Sequence, residues 1–309
     1  MVAACTNPFL RIPKPRPERT EHRVWDAPAP LRLWHLASLD APTVALVWSY
    51  GFAWAAHIRV PAWAPASLAL IAWAVYIGDR LLDARAGMQS PPLHVLRERH
   101  YFHWRYRRFL APGGALAALA AAALVLTRLP AAARAPDTAL ATATLAYFSG
   151  IHSRRRISPA LQAVLAPISP KPFLIGILFT AGCLLPLASQ VPALAIIRGL
   201  AKPASFFVVL AWLNCYAIAE WESGDPIHPS NSTLRRAGLL AATGALLALF
   251  QAITEPRSAL LVAAGTTSAL LLALLDRLRH QLTPLALRAA ADLVLLTPAL
   301  LLVIEPCSK

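Results

Sequence analysis

Two acidic clusters stand at the ends of apolar segments, and their residue types could hold a cation. The first is Asp79-Arg80-Leu81-Leu82-Asp83, which directly follows the apolar run beginning at Pro61. If a helix continues through it, carboxylates at i and i+4 share one face, with Cβ atoms about 5–6 Å apart. Carboxylates that close repel each other unless a cation sits between them. Mg²⁺ suits such a pair and brings phosphate-bearing substrates with it. The plainer alternative is a solvated helix end with Asp79 and Asp83 paired to Arg80 and Arg85.

The second cluster ends a later apolar run: Asn214-Cys215-Tyr216-Ala217-Ile218-Ala219-Glu220-Trp221-Glu222-Ser223-Gly224-Asp225. Asn214 lies about two turns inside that run, where a polar group is costly and tends to be functional. Glu220 and Glu222 are roughly 200° apart around a helix. Both reach one metal only if the helix breaks near Trp221, and Gly224 offers such a break. The competing reading is an interfacial cap, with Asn214 bonded between helices.

The elements that must position these groups are membrane helices. The 309-residue chain is 57% hydrophobic, only 14% charged, and has a mean hydropathy of +0.53. Soluble domains carry about 25% charged residues. The expected fold is therefore an all-α membrane protein, one bundle of about nine transmembrane helices. The expected spans are Ala41–Ile58, Pro61–Gly78, Ala115–Leu129, Pro136–Ile151, Pro172–Leu187, Pro203–Ala219, Ala237–Ile253, Ser258–Leu275 and Leu285–Ile304. Residues 1–39 read as a Pro- and Arg-rich cytoplasmic tail, and 40–309 as the membrane domain. No apolar leader is expected in the first 40 residues. The four cysteines show no metal or disulfide spacing.

A net charge of +14 would suggest nucleic acid in a soluble protein. In this chain no nucleic-acid partner is expected, because the charge sorts by membrane side. With the N-terminus inside, about 22 of the 29 Lys and Arg fall in the tail and in the loops after spans two, four, six and eight. The protein is thus read as multi-pass and integral to a bacterial inner (plasma) membrane, N-terminus cytoplasmic, with both acidic clusters on the cytoplasmic side. The loop from Asp79 to about Gly114 contains a basic, aromatic stretch, Leu93 to Leu110, that reads as an interfacial helix.

Two acidic groups at the cytoplasmic ends of spans two and six resemble the UbiA superfamily of intramembrane prenyltransferases, over nearly the whole chain. Asp79 and Asp83 match the aspartates of the family's NxxxDxxxD motif, with Val75 where the family has Asn. Asn214, Tyr216-Ala217, Glu220 and Glu222 or Asp225 fall near its second, DxxxD-like motif. Tyr147 matches the Tyr of a YxxxK-type motif whose Lys position is Ile151, and His152, Arg154 and Arg155 follow. The resemblance implies Mg²⁺-dependent transfer of an isoprenyl group from a prenyl diphosphate to an aromatic or lipid-like hydrophobic acceptor. It implies Mg²⁺ held by Asp79, Asp83, Glu220, Glu222 and Asp225, with Asp79, Asp83 and Glu220 catalytic. It implies substrate contacts from Tyr147, Arg154, Arg155, Lys171 and Asn214. A related reaction such as terpene cyclisation would use the same site.

Three further readings stay open. A non-catalytic protein of the same fold would bind lipid or serve as an assembly subunit. A CDP-alcohol phosphotransferase would need DxxDG, a following AR and a later GxxxDxxxD, of which only Asp83-Ala84-Arg85 is a fragment. A transporter would be expected to show an internal repeat. Asp292, about two turns inside the last span, costs of order 2.5–3.5 kcal/mol unpaired. Arg288, at i−4, is its expected partner.

The orientation is directly testable. Cysteines placed in the Asp79–Gly114 segment and in Arg154–Arg156 should resist impermeant thiol reagents in intact cells and react after permeabilisation. Labelling from outside would overturn the topology.

Overall fold

The computed structural model describes residues 24–89, 97–153, 171–223 and 231–304. Among them the chain is helical almost throughout. The helices are α1 (Ala29–Leu36), α2 (Asp40–Ala55), α3 (Trp63–Gln89), α4 (Glu98–Arg105), α5 (Arg107–Arg128), α6 (Ala135–Ser153), α7 (Lys171–Ala188), α8 (Ala193–Ser223), α9 (Ser232–Gln251), α10 (Pro256–Leu278), α11 (Pro284–Leu293) and α12 (Ala299–Ile304). Every apolar segment read from the sequence is helical. Five helical stretches are long and apolar enough to cross a membrane: Trp63–Met88, Arg107–Arg128, Arg198–Glu222, Ser232–Gln251 and Pro256–Gln281. Leu116, Leu119, Leu126, Leu239, Leu246, Leu249 and Phe250 on α5 and α9 face outward. Large apolar side chains in that position suit lipid rather than water.

Several boundaries differ from expectation for identifiable reasons. The segment Ala41–Ile58 forms α2, only 16 residues long. It is enclosed by protein, with Val44, Ala45, Trp48 and Phe52 nearly inaccessible. A short apolar run wrapped by neighbours needs no lipid-spanning length. Beyond Gly78, α3 continues for three turns to Gln89, because Asp79–Gln89 has good helix formers and no proline. At 27 residues it is about 40 Å long. Within Asp79–Gly114 the described residues are thus largely helix, in α3, α4 and the start of α5. Pro203 lies inside α8 rather than at its start. The last segment is not one span: α11 gives way to a 3-10 turn, Val294–Leu296, before α12.

The core forms where α2 meets α8 and α10. Trp48 stacks on Phe207 with centroids 3.8 Å apart, and Phe52 meets Phe207 edge-on at 5.9 Å. Trp48 Nε1 donates to the Leu295 carbonyl at 2.9 Å. The indole thus binds a carbonyl in the segment where the last helix changes pitch. Glycines let the helices approach. A Cβ at Gly176 on α7 would stand 2.7 Å from the Val208 carbonyl oxygen of α8. At Gly244 it would stand 2.2 Å from Thr266 Oγ1 and 2.6 Å from Phe206.

The end of the segment read as a tail belongs to the bundle. The Trp25 N–H donates to the Gln281 carbonyl at 2.8 Å, and the Thr283 N–H donates to the Trp25 carbonyl at 2.9 Å. Thr283 also caps α11, accepting from the Ala286 N–H at 3.2 Å, and donates to Asp26 Oδ1 at 2.9 Å. Helix α1 follows and packs on α4 and α11.

Gly176→Ala should destabilise the detergent-solubilised protein by about 1–3 kcal/mol, since the clash is with backbone and the helices must separate. Gly238→Ala, with nothing within 4 Å of its Cβ position, should leave the thermal melt unchanged or raise it slightly.

Candidate functional site

Charged and polar groups from the α1–α2 corner, α3, α4, α8 and α11 converge at one end of the bundle. The α1–α2 corner is tight: Ser38 has φ of 58°, a left-handed conformation that costs a non-glycine residue energy. Its Oγ–H donates to His103 Nε2 on α4 at 3.1 Å, and His103 Nδ1–H donates to the Arg99 carbonyl at 2.7 Å. The carbonyl can only accept, which sets the tautomer of a neutral imidazole. Burial pushes His103 down to about 4, against a smaller opposing effect from that hydrogen bond.

Arg80 is buried and locks the corner to α3. Its Nη1 donates to the His35 carbonyl at 2.9 Å and its Nη2 to Asp40 Oδ2 at 3.0 Å. Arg80, which the plainer alternative placed with Asp79 and Asp83, pairs with Asp40. On the other side of Asp40 lies His35 Nδ1, 2.8 Å from Oδ2 and 3.7 Å from Asp292 Oδ2 on α11. Asp292 Oδ1 accepts from Asn214 Nδ2 on α8 at 3.0 Å. The polar interior group of α8 therefore meets the polar interior group of α11, the interhelical bond allowed for at Asn214.

The second centre is Glu222. Its Oε1 receives Arg99 Nη1 of α4 at 3.0 Å and Arg288 Nη1 of α11 at 2.6 Å. Arg97, which precedes α4, pairs with the same oxygen and also donates from Nη2 to the Glu222 carbonyl at 3.3 Å. Arg288 thus reaches Glu222 rather than forming the expected ion pair with Asp292, because the end of α8 passes beside α11. Burial, and then the guanidinium groups of Arg288, Arg80 and Arg97, lower the Arg99 pKa, while Asp83 acts to raise it.

The second cluster is split between two faces of α8. Asn214 and Glu222 join the convergent set. Glu220 turns to α9 instead, its oxygens accepting from Ser232 Oγ at 2.6 Å and from Thr233 Oγ1. Tyr216, one turn before Glu220, shares that face, with its hydroxyl 2.9 Å from Ser232 Oγ and Arg236 stacked over its ring at 3.9 Å. The 200° separation of Glu220 and Glu222 is thus kept, with no break through Trp221. Trp221 itself donates to Asp276 Oδ1 on α10 at 2.7 Å.

The remaining expected residues divide as follows. Asp79 and Asp83 are half-buried on α3. Tyr147 lies on α6, which packs chiefly on α7 and stands outside the convergent elements. Lys171 begins α7. Arg154, Arg155 and Asp225 lie outside the described residues. Reading the sequence missed His35, Asp40 and Arg80 as partners, and it took Arg97 and Arg99 for surface anchors. A cue existed: Asp40 opens an apolar helix and Arg80 sits within one, both costly without a mate.

No family model matches the chain, and neither does any curated protein or solved structure. What the fold and the site define is a helical membrane-protein class with an ion-paired polar centre at one end of the bundle.

The pH dependence follows from His103. The unfolded imidazole takes a proton near 6.5, while the folded one resists protonation until about 4. Stability should therefore fall as pH drops from 6.5 towards 4, by about 2 kcal/mol at pH 5 from this group. Thermal melts of wild type and His103→Gln at pH 7 and pH 5 check it. The variant should show a clearly smaller loss.

Proposed function

We propose that the chain handles a prenyl diphosphate in the manner of the UbiA superfamily, moving the isoprenyl group to a hydrophobic acceptor within the membrane. In this reading the bundle follows a UbiA-like plan of about nine membrane segments. The charge-dense end faces the cytoplasm of a bacterium whose inner membrane holds the protein. The observation that carries the reading is that Arg97, Arg99 and Arg288 converge on Glu222, of the second acidic cluster, at one end of the bundle.

The Mg²⁺ that the resemblance implies fits these residues only in part. Asp79 and Asp83, spaced i to i+4 with oxygen donors, suit one hard cation. Glu222 already meets three guanidinium groups, and Glu220 meets two hydroxyls. A two-metal cradle therefore does not fit the described residues, and the chemistry below is carried by the chain's own groups.

Arg97, Arg99 and Arg288 offer forked donors that match phosphate oxygens. Glu222 holds the three heads together. When the allylic C–O bond breaks, its electron pair leaves with the diphosphate, and fixed guanidinium charges stabilise that developing anion. The acceptor then attacks the prenyl carbocation and loses a proton. The apolar helix faces would hold the prenyl tail.

A second reading has its own support. Because both glutamates are already engaged, a non-catalytic protein that binds prenyl or other phosphorylated lipid, or acts as an assembly subunit, also fits this site.

The test is incubation of purified protein with allylic diphosphates of several chain lengths, an aromatic acceptor and graded Mg²⁺, with released diphosphate measured. Release is expected. Arg99→Ala combined with Arg288→Ala should cut it about tenfold or more, of order 1.4 kcal/mol. Asp79→Ala should remove any Mg²⁺ dependence. Arg154→Ala with Arg155→Ala reports whether that segment assists. Saturable binding without release would favour the non-catalytic reading. An active protein indifferent to all these substitutions would rule out this site.

A further inference from the structure

His35, Asp40 and Asp292 bring three ligand-type atoms together from three separate elements. His35 Nδ1, a carboxylate oxygen of Asp40 and one of Asp292 all lie within 4.8 Å of one another. Ligand atoms around a small divalent ion are about 3–4 Å apart. The group therefore needs only a small adjustment to close on a metal. His35 and Asp40 are each 1% exposed, so water has little access to satisfy them.

One unpartnered polar atom lies beside the group. Asn214 Oδ1 is buried without a partner. Asn214 is 5% exposed, and its other amide atom is the one that holds Asp292. A buried polar atom left unsatisfied costs about 1–3 kcal/mol, so its position beside these ligand-type groups asks for an explanation. Charge points the same way. Arg80 is paired with Asp40, whereas Asp292 has an amide and an imidazole, because Arg288 is drawn to Glu222.

We propose that His35, Asp40 and Asp292 bind one divalent first-row transition-metal ion, with Asn214 Oδ1 available as a fourth donor. One imidazole and two carboxylates suit Zn²⁺ or Mn²⁺, whereas Mg²⁺ prefers oxygen ligands and retains water. The surrounding hydrogen bonds suit ligation. Arg80 Nη2 and the Ala41 N–H, at 3.0 Å each, fix the Asp40 carboxylate, and Asn214 Nδ2 fixes that of Asp292. Such partners orient metal ligands and raise affinity. The ion ties the α1–α2 corner to α11 through residues other than Asp79 and Asp83. The inference does not depend on prenyl-group chemistry.

The test uses the full chain, purified in detergent, stripped with EDTA, and given an equivalent of Zn²⁺, Mn²⁺ or Mg²⁺. After desalting, bound metal is counted by mass spectrometry and the protein is melted. Zn²⁺ or Mn²⁺ should be retained near one per chain and should raise the melting midpoint, while Mg²⁺ is not retained. Asp292→Asn, nearly isosteric and checked by its size-exclusion profile, should lower retention about tenfold or more, as should His35→Ala. Asp79→Asn with Asp83→Asn should leave retention intact. The proposal is overturned if wild type retains no more metal than Asp292→Asn. It is equally overturned if retention depends on Asp79 and Asp83 instead.

Discussion

The structure turns on one carboxylate oxygen. Glu222 Oε1 receives guanidinium groups from α4, from the residue before α4, and from α11. These elements are far apart in the chain, and α8 ends at their meeting point. Such an arrangement need not be a large net source of stability, since removing charges from water offsets much of their attraction. Its effect is on uniqueness. Taking away Glu222 leaves three guanidinium groups facing one another without their shared anion, so other registers of α4, α8 and α11 are disfavoured. Arg80 does the same work one layer deeper, joining the His35 carbonyl and Asp40 to α3.

Between these two centres the helices are held by close approach. Gly176, Gly244 and Gly265 let α7, α9 and α10 come near aromatic and backbone neighbours. The aromatic stack of Trp48 on Phe207 fills the space that results. In lipid, where apolar burial between helices brings little gain, such packing and interhelical hydrogen bonds carry much of the association. The two regimes are therefore complementary, with apolar contacts along the helices and ion pairs where their ends gather.

Much of the fold was legible because hydropathy is a local property. Each apolar block read from the sequence is a helix, with ends displaced where polar helix formers extend it, as in Asp79–Gln89, or where it breaks into a 3-10 turn, as after Leu293. The length of α2 did not reveal its enclosure, since burial by protein and burial by lipid select the same residues. The site was half legible. The i to i+4 spacing of Asp79 and Asp83, the polarity of Asn214 and the opposed faces of Glu220 and Glu222 follow from helix geometry. Partner choice does not. Arg288 was assigned by spacing to Asp292, yet α8 supplies a nearer carboxylate. Arg97 and Arg99 read as surface anchors because sequence alone does not say which helix end will fold over a basic segment.

The clasp between Trp25 and the Gln281–Thr283 segment bears on biogenesis. Thr283 and Asp26 are 257 positions apart. During synthesis the N-terminal arm emerges first, but the backbone groups it pairs with emerge only after α10. Arg288 and Asp292 follow later still. Neither the arm nor the polar centre can reach its final form on a nascent chain, however early the first helices enter the bilayer. The assembled centre thus reports completion of the chain through α11, and a chain halted before that point would leave Glu222 with only the cations contributed by the α4 region.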